Sequence, residues 1–127
     1  MMTNMYTRQS IQAPRKVARL LRTLGQPTRL RILLALAEGE ACVCHLESLM
    51  GLRQAYLSQH LMALRKAGLV IDRREGRFIF YRLKDLKILE LIRLAGQVAS
   101  IPEPIQFFDT QDSKLLDCVC PSCGSTT

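Results

Sequence analysis

Apolar residues recur along this chain mostly with the period of helices and, over one stretch, with the period of strands. Val17, Leu20, Leu21 and Leu24 fall at i, i+3, i+4 and i+7, the stripe of an amphipathic helix that ends at Gly25. Pro27 suits a first helical position, and a second helix rich in Leu and Ile continues from Arg29 to Ala37 and stops at Gly39. A short helix over about Cys44 to Met50 closes at Gly51, and a longer one, Gln54 to Ala67, is terminated by Gly68. Leu69 to Arg74 and Arg77 to Leu83 read as two strands around Glu75-Gly76, a short hairpin. Leu86, Leu89 and the run Leu91, Ile92, Leu94, Ala95 mark a last helix that fades near Ser100, before Pro102 and Pro104 break regular structure. A short helix, a tight turn and a longer helix make a helix-turn-helix, and the hairpin behind it is a wing. The pattern thus predicts a mainly α fold with a small β-hairpin wing over residues 1–100, followed by a Cys-bearing C-terminal tail over residues 101–127.

Composition narrows what such a fold does. In 127 residues, 48% are hydrophobic, 6% aromatic and none is Trp, so the single domain has an aliphatic core. No apolar run approaches the roughly 18 residues of a membrane span, and the N-terminus has no signal-type stretch, so a cytoplasmic protein without a membrane partner is expected. The net charge of +7 is blocky: +7 over residues 1–37, −3 over 38–52, +6 over 53–87 and −3 over 88–127. Two positive blocks around a short acidic, Cys-bearing stretch suit a polyanionic partner if they lie on elements that reach it. There is no Gly-rich phosphate loop and no nucleophile–base set readable from spacing, so an enzyme is not expected. The five Cys fit thiolate ligands or redox groups better than structural disulfides.

Three segments carry a specific resemblance. LGQPTRLRILLALAEGEACVCHL, LRQAYLSQHLMALRKAGLV and RREGRFIFYRL, within residues 16–95, resemble the ArsR/SmtB family of metal-responsive bacterial repressors. The resemblance implies a homodimer, paired through the first and last helices (here 17–24 and 86–95), that binds double-stranded operator DNA and releases it when metal binds.

On the longer helix, Leu57, Leu61 and Leu64 lie within an arc of about 60° at 100° per residue and define its buried face. Ala55, Gln59, Met62 and Lys66 point the other way, with Ser58 at the edge. A recognition helix enters the major groove by its N-terminal half, which makes Gln54, Ala55, Ser58 and Gln59 the base-reading candidates. Arg53 and Lys66 suit phosphate, and Arg74 and Arg77 beside the hairpin tip suit the minor groove or flanking phosphates. An ordinary solvated helix side looks the same, and the resemblance tips the balance. Arg53 stands where the family often has a capping Ser or Pro. His60, beside the core face, reads as a packed, hydrogen-bonded residue.

Cys42-Val43-Cys44 occupies the family's metal-sensing position, and two sulfurs there make an incomplete site. Arsenic-type members carry a third Cys three residues on, where this chain has Glu47. The tail supplies Cys118, Cys120 and Cys123, whose C-x-C-x2-C spacing permits chelation alone or jointly with Cys42 and Cys44. The expected effector is a soft ion, As(III), Cd(II), Pb(II) or Zn(II), held by thiolates. Two alternatives stay open: a redox sensor in which oxidation of Cys42–Cys44 or of tail pairs releases DNA, and a purely structural zinc site in the tail.

Overall fold

In the computed structural model, which describes residues 8–102, the stripes of five helices close over one another and over a small sheet. The order is α1 (Arg8–Leu24), α2 (Pro27–Ala35), a 3-10 turn (Leu36–Glu38), β1 (Ala41–Cys42), α3 (Val43–Met50), α4 (Gln54–Lys66), β2 (Val70–Glu75), β3 (Phe78–Leu83) and α5 (Lys87–Val98). This is a winged helix-turn-helix, with α3 and α4 as the two helices and β2–β3 as the wing. The core is aliphatic, as composition predicts: Ile32 and Leu33 of α2, Leu46 of α3 and Leu57, Leu61 and Leu64 of α4 are fully buried. Phe80 of β3 is the one ring among the fully buried side chains of the described residues.

Local chemistry sets the helix ends. Gly51, in the left-handed region at φ 64°, stops α3, its N–H donating to the Glu47 carbonyl at 2.8 Å. At the end of α4 the Leu69 N–H reaches the Leu64 carbonyl (2.9 Å) and the Gly68 N–H the Arg65 carbonyl (3.0 Å). Gly68, at φ 76°, is the residue that lets this double closure form. The wing turns at Gly76, whose φ of 60° suits the first central position of a two-residue hairpin loop.

Three features differ most from the sequence reading. The first helix begins at Arg8 rather than Val17, more than two turns before the Val17–Leu24 stripe, and runs through Pro14. Arg77 sits in the turn, and the strand starts at Phe78. The sheet also has three strands, in the order β1-β3-β2, because Ala41 and Cys42 pair antiparallel with Tyr81 and Phe80. A strand of two residues has no alternation to read; a partner forty positions later makes it a strand.

Between α1 and α5 lies an apolar groove of about 320 Å³, walled by Leu21, Leu24, Leu91, Ile92 and Ala95 among others. Val17, Leu21 and Leu94 are about half exposed beside it, and Val98 is 87% exposed. No helix of the described residues is long and apolar enough to cross a membrane. The tail with Cys118, Cys120 and Cys123 lies outside the described residues.

Candidate functional site

The exposed face of α4 carries the residues that the helical wheel assigns to it. Leu57, Leu61 and Leu64 point into the core, while Arg53, Gln54, Ala55, Gln59 and Lys66 are exposed and Ser58 is half-buried at the margin. Arg53 is the N-cap in an extended conformation and makes no side-chain cap bond. The first amides of α4 therefore have no capping side chain, and such amides are ready donors to a phosphate oxygen. At the wing, Arg74 and Arg77 are exposed, with the Arg77 guanidinium 5.2 Å from the Phe78 ring centroid.

Arg73 differs from its neighbours. Its Nη2 donates to Glu40 Oε1 at 2.6 Å, its Nε lies 3.2 Å from both Glu40 oxygens, and its Nη1 donates to Glu75 Oε2 at 3.2 Å. The guanidinium also stacks 4.6 Å from the Phe80 centroid. This clasp, chiefly the hydrogen bond from Arg73, holds the Glu40 carboxyl below the usual carboxylate range. Strand parity carries the distinction, since Arg73 stands opposite Phe80 and Arg74 opposite Ile79, on alternate faces. Arg65 is likewise committed, to Asp72 at 3.2 Å.

His60 is 6% exposed. Its Nδ1 accepts from Arg29 Nε at 3.1 Å, and Arg29 Nη1 donates to the Thr23 carbonyl at 3.0 Å. Tyr56 meets the imidazole edge to face, 4.7 Å between centroids. Burial first, and the Arg29 charge second, push the His60 pKa down, so the ring is neutral with Nδ1 as acceptor. His60 therefore ties the reading helix to α2 and the end of α1.

The Cys42–Cys44 corner joins the sheet to the helix-turn-helix. Cys42 ends β1 opposite Phe80 and is also the N-cap of α3, its Sγ accepting from the His45 N–H at 3.2 Å. It is 1% exposed and packs on Phe80, while Cys44 is half-buried and packs beside it with Phe78. The two sulfurs are joined as a disulfide. A soft ion needs thiolates, which a disulfide does not offer, and no group of three or more His, Cys, Asp or Glu among the described residues is arranged to hold a metal. Cys42 and Cys44 as joined here do not fit an ion. The sequence reading offers the disulfide only as an alternative, because the pairing follows from Cys42 standing in a strand and Cys44 in the first turn of a helix.

Comparison with known proteins agrees with this geometry. Residues 26–72 match the family described as bacterial regulatory protein, arsR family. The chain is 46% identical over 88 residues to the biofilm growth-associated repressor of Agrobacterium fabrum, covering 69% of this chain and 75% of that protein. Reduced HlyU from Vibrio cholerae superposes with a TM-score of 0.63 at 34% identity, covering 72% of this chain and 97% of that one. A homodimeric winged helix-turn-helix DNA-binding domain from Mycobacterium bovis, a possible ArsR-family transcriptional regulator, gives a TM-score of 0.67 at 32% identity, covering 77% and 91%.

Proposed function

The chain belongs to the ArsR family of bacterial regulatory proteins, DNA-binding transcriptional regulators rather than enzymes, and from that membership we propose that it is a thiol-redox-sensing repressor. It binds double-stranded operator DNA as a homodimer. Gln54, Ala55, Ser58 and Gln59 read bases, Arg53 and Lys66 hold phosphates, and Arg74 and Arg77 of the wing reach the flanking backbone or minor groove. One small reading head makes too few base contacts for genomic specificity, so two copies on an inverted repeat are needed. The apolar groove between α1 and α5, with exposed Val17, Leu21, Leu94 and Val98, supports pairing through those helices.

The observation that carries the redox reading is the Cys42–Cys44 disulfide at the junction of wing and helix-turn-helix. Its two sulfurs belong to β1 and α3, and α3 packs on α4. Making or breaking this bond changes how the start of α3 is held against the wing, and with it the relative placement of two DNA-contacting elements. Oxidation then disfavours the DNA-bound arrangement, a coupling of the usual size of about 1–3 kcal/mol. Two relatives support the choice: the Agrobacterium protein is a repressor, and the HlyU structure is of a reduced protein.

The test is operator affinity of the reduced and oxidised protein side by side, with Cys42→Ser and Cys44→Ser as controls. The wild type is expected to lose about 5–150-fold in affinity on oxidation, and both variants to bind operator in either condition. Equal binding by oxidised and reduced wild type sinks the reading. The metal-sensing alternative is separated by adding As(III), Cd(II), Pb(II) or Zn(II) to protein kept reduced. Release by ion alone, lost when Cys118, Cys120 and Cys123 are replaced by Ser, would make the five thiols an ion site.

A further inference from the structure

Beside the disulfide is a small cleft of about 200 Å³ with mixed polar and apolar walls, lined by Val43, Cys44, Glu47, Gln54, Arg77, Phe78 and Ile79. We infer that it is a docking site for a small zwitterionic thiol, of amino-acid size, which exchanges with the disulfide by forming a mixed disulfide on Cys44 and not on Cys42. The inference rests on the redox reading above and names the reactant and the sulfur it attacks.

The two sulfurs are not equivalent. Cys44 is half-buried on the cavity wall, whereas Cys42 is 1% exposed behind Phe80. An incoming thiolate therefore meets Cys44 Sγ first. Its attack forms a new S–S bond to Cys44 and breaks the Cys42–Cys44 bond, whose electron pair leaves on Cys42 Sγ. That sulfur is the N-cap of α3 and already accepts the His45 N–H at 3.2 Å, an arrangement that stabilises a departing thiolate. A second thiolate then attacks the bound reactant's sulfur and frees Cys44. In sum, two thiolates become one small disulfide, two electrons pass to the protein pair, and Cys42 and Cys44 end as thiolates.

The charges of the cavity select the reactant. Glu47 and Arg77 both line it, and among the described residues neither is committed to an ion pair. Arg77 is placed to meet a carboxylate and Glu47 an ammonium. The volume is below the roughly 300–1,000 Å³ of sites for drug-sized ligands and suits an occupant of amino-acid size. Gln54 and Arg77 are also proposed DNA contacts, so an adduct on Cys44 occupies the space between the reading helix and the wing tip.

Two measurements test this. In the full-length chain, Cys42→Ser treated with cystine should carry half-cystine on Cys44, since the Cys42 thiol is no longer there to expel it; Cys44→Ser should leave Cys42 unmodified over the same interval, as mapped by acid-quenched tandem mass spectrometry. Equal modification of Cys42 overturns the assignment. Reduction rates of the oxidised protein by cysteine, 3-mercaptopropionate and 2-mercaptoethanol then test the charges. Arg77→Gln should slow the first two by about two- to fivefold and leave the third unchanged, the range set by exposed charge pairs. Glu47→Gln should slow cysteine by a similar factor without slowing 3-mercaptopropionate. One common factor for all three thiols overturns the docking site. These outcomes are read without DNA, so an oxidised protein that still bound operator would refute the repressor switch while leaving the exchange site standing.

Discussion

The reading helix and the cysteine corner lie side by side, α3 packed on α4, but they are held by different means. α4 is held by its own stripe: Leu57, Leu61 and Leu64 fill the core, and Gly68 closes its end. The corner is held by groups distant in sequence or dependent on conditions: a two-residue strand borrowed from β3, a sulfur cap and a disulfide. The helix rests on local packing and the corner on contacts from afar. On the redox reading proposed above, a covalent change at the corner shifts the helix without unfolding it.

The largest expected effect comes from the one side chain beneath the corner that has no substitute. Phe80→Ala should cost about 3–5 kcal/mol in a urea melt, because a fully buried ring is replaced by a cavity. Leu61→Ala, beneath the reading helix, should cost about 2–5 kcal/mol. Size does not separate the two regions here, but coupling does. Phe80→Leu, which keeps an apolar side chain beside Cys42, should fold and bind operator with a reduced difference between oxidised and reduced forms. Leu61→Met should leave that difference intact. If both variants keep the full redox difference, the corner does not act through Phe80.

Next in size are the DNA contacts. Gln59→Ala should lose about 1–3 kcal/mol on the operator and little on random DNA. Arg77→Ala should weaken all sequences alike and lower the slope of log affinity against log salt by about one. If Gln59→Ala weakens operator and random DNA equally, α4 does not read bases.

The same contrast explains what could be read from residues alone. The stripe of α4, its buried leucines and its exposed Gln59 and Lys66 follow from a 3.6-residue period within one helix, and the hairpin from Glu75-Gly76 between two strand-like runs. The pairing of Ala41 with Tyr81, the clasp of Arg73 by Glu40 and the burial of Cys42 behind Phe80 join positions 33 to 40 residues apart. No local period encodes these. Cys42 and Cys44 were legible as a thiolate pair for an ion, with oxidation as the alternative, because a thiol and a half-disulfide are the same letter and only their placement distinguishes them.

A smaller effect lies in the pH dependence of stability. Burial depresses the His60 pKa below its ordinary value near 6.5. The unfolded chain therefore binds this proton more readily than the folded one. The stability associated with the neutral ring is fully present above about pH 6.5 and is lost as pH falls toward the folded pKa. Thermal midpoints should decline between about pH 7.5 and 5.5 in the wild type and do so less in His60→Gln, whose amide oxygen can still accept from Arg29. Equal slopes would assign the acid sensitivity elsewhere and leave His60 a packing residue only.

The smallest effect concerns the wing arginine that is already paired with carboxylates. Glu40 holds Arg73 against Phe80 on the β1 side, so the acidic stretch between the two basic blocks takes one cation out of the DNA-facing set. Glu40→Gln keeps the shape of the acceptor and removes its charge, leaving Arg73 with Glu75. The pair is exposed, and exposed pairs contribute little to folding, so the thermal midpoint should scarcely change. DNA binding at low salt should strengthen, with the salt slope steeper by about one, as expected if Arg73 gains a phosphate. Random DNA should gain as much as the operator, because a phosphate contact carries no sequence information. An unchanged slope would mean that Arg73 does not leave the clasp, and that Glu40 serves to anchor β1 to the wing rather than to withhold a charge from DNA.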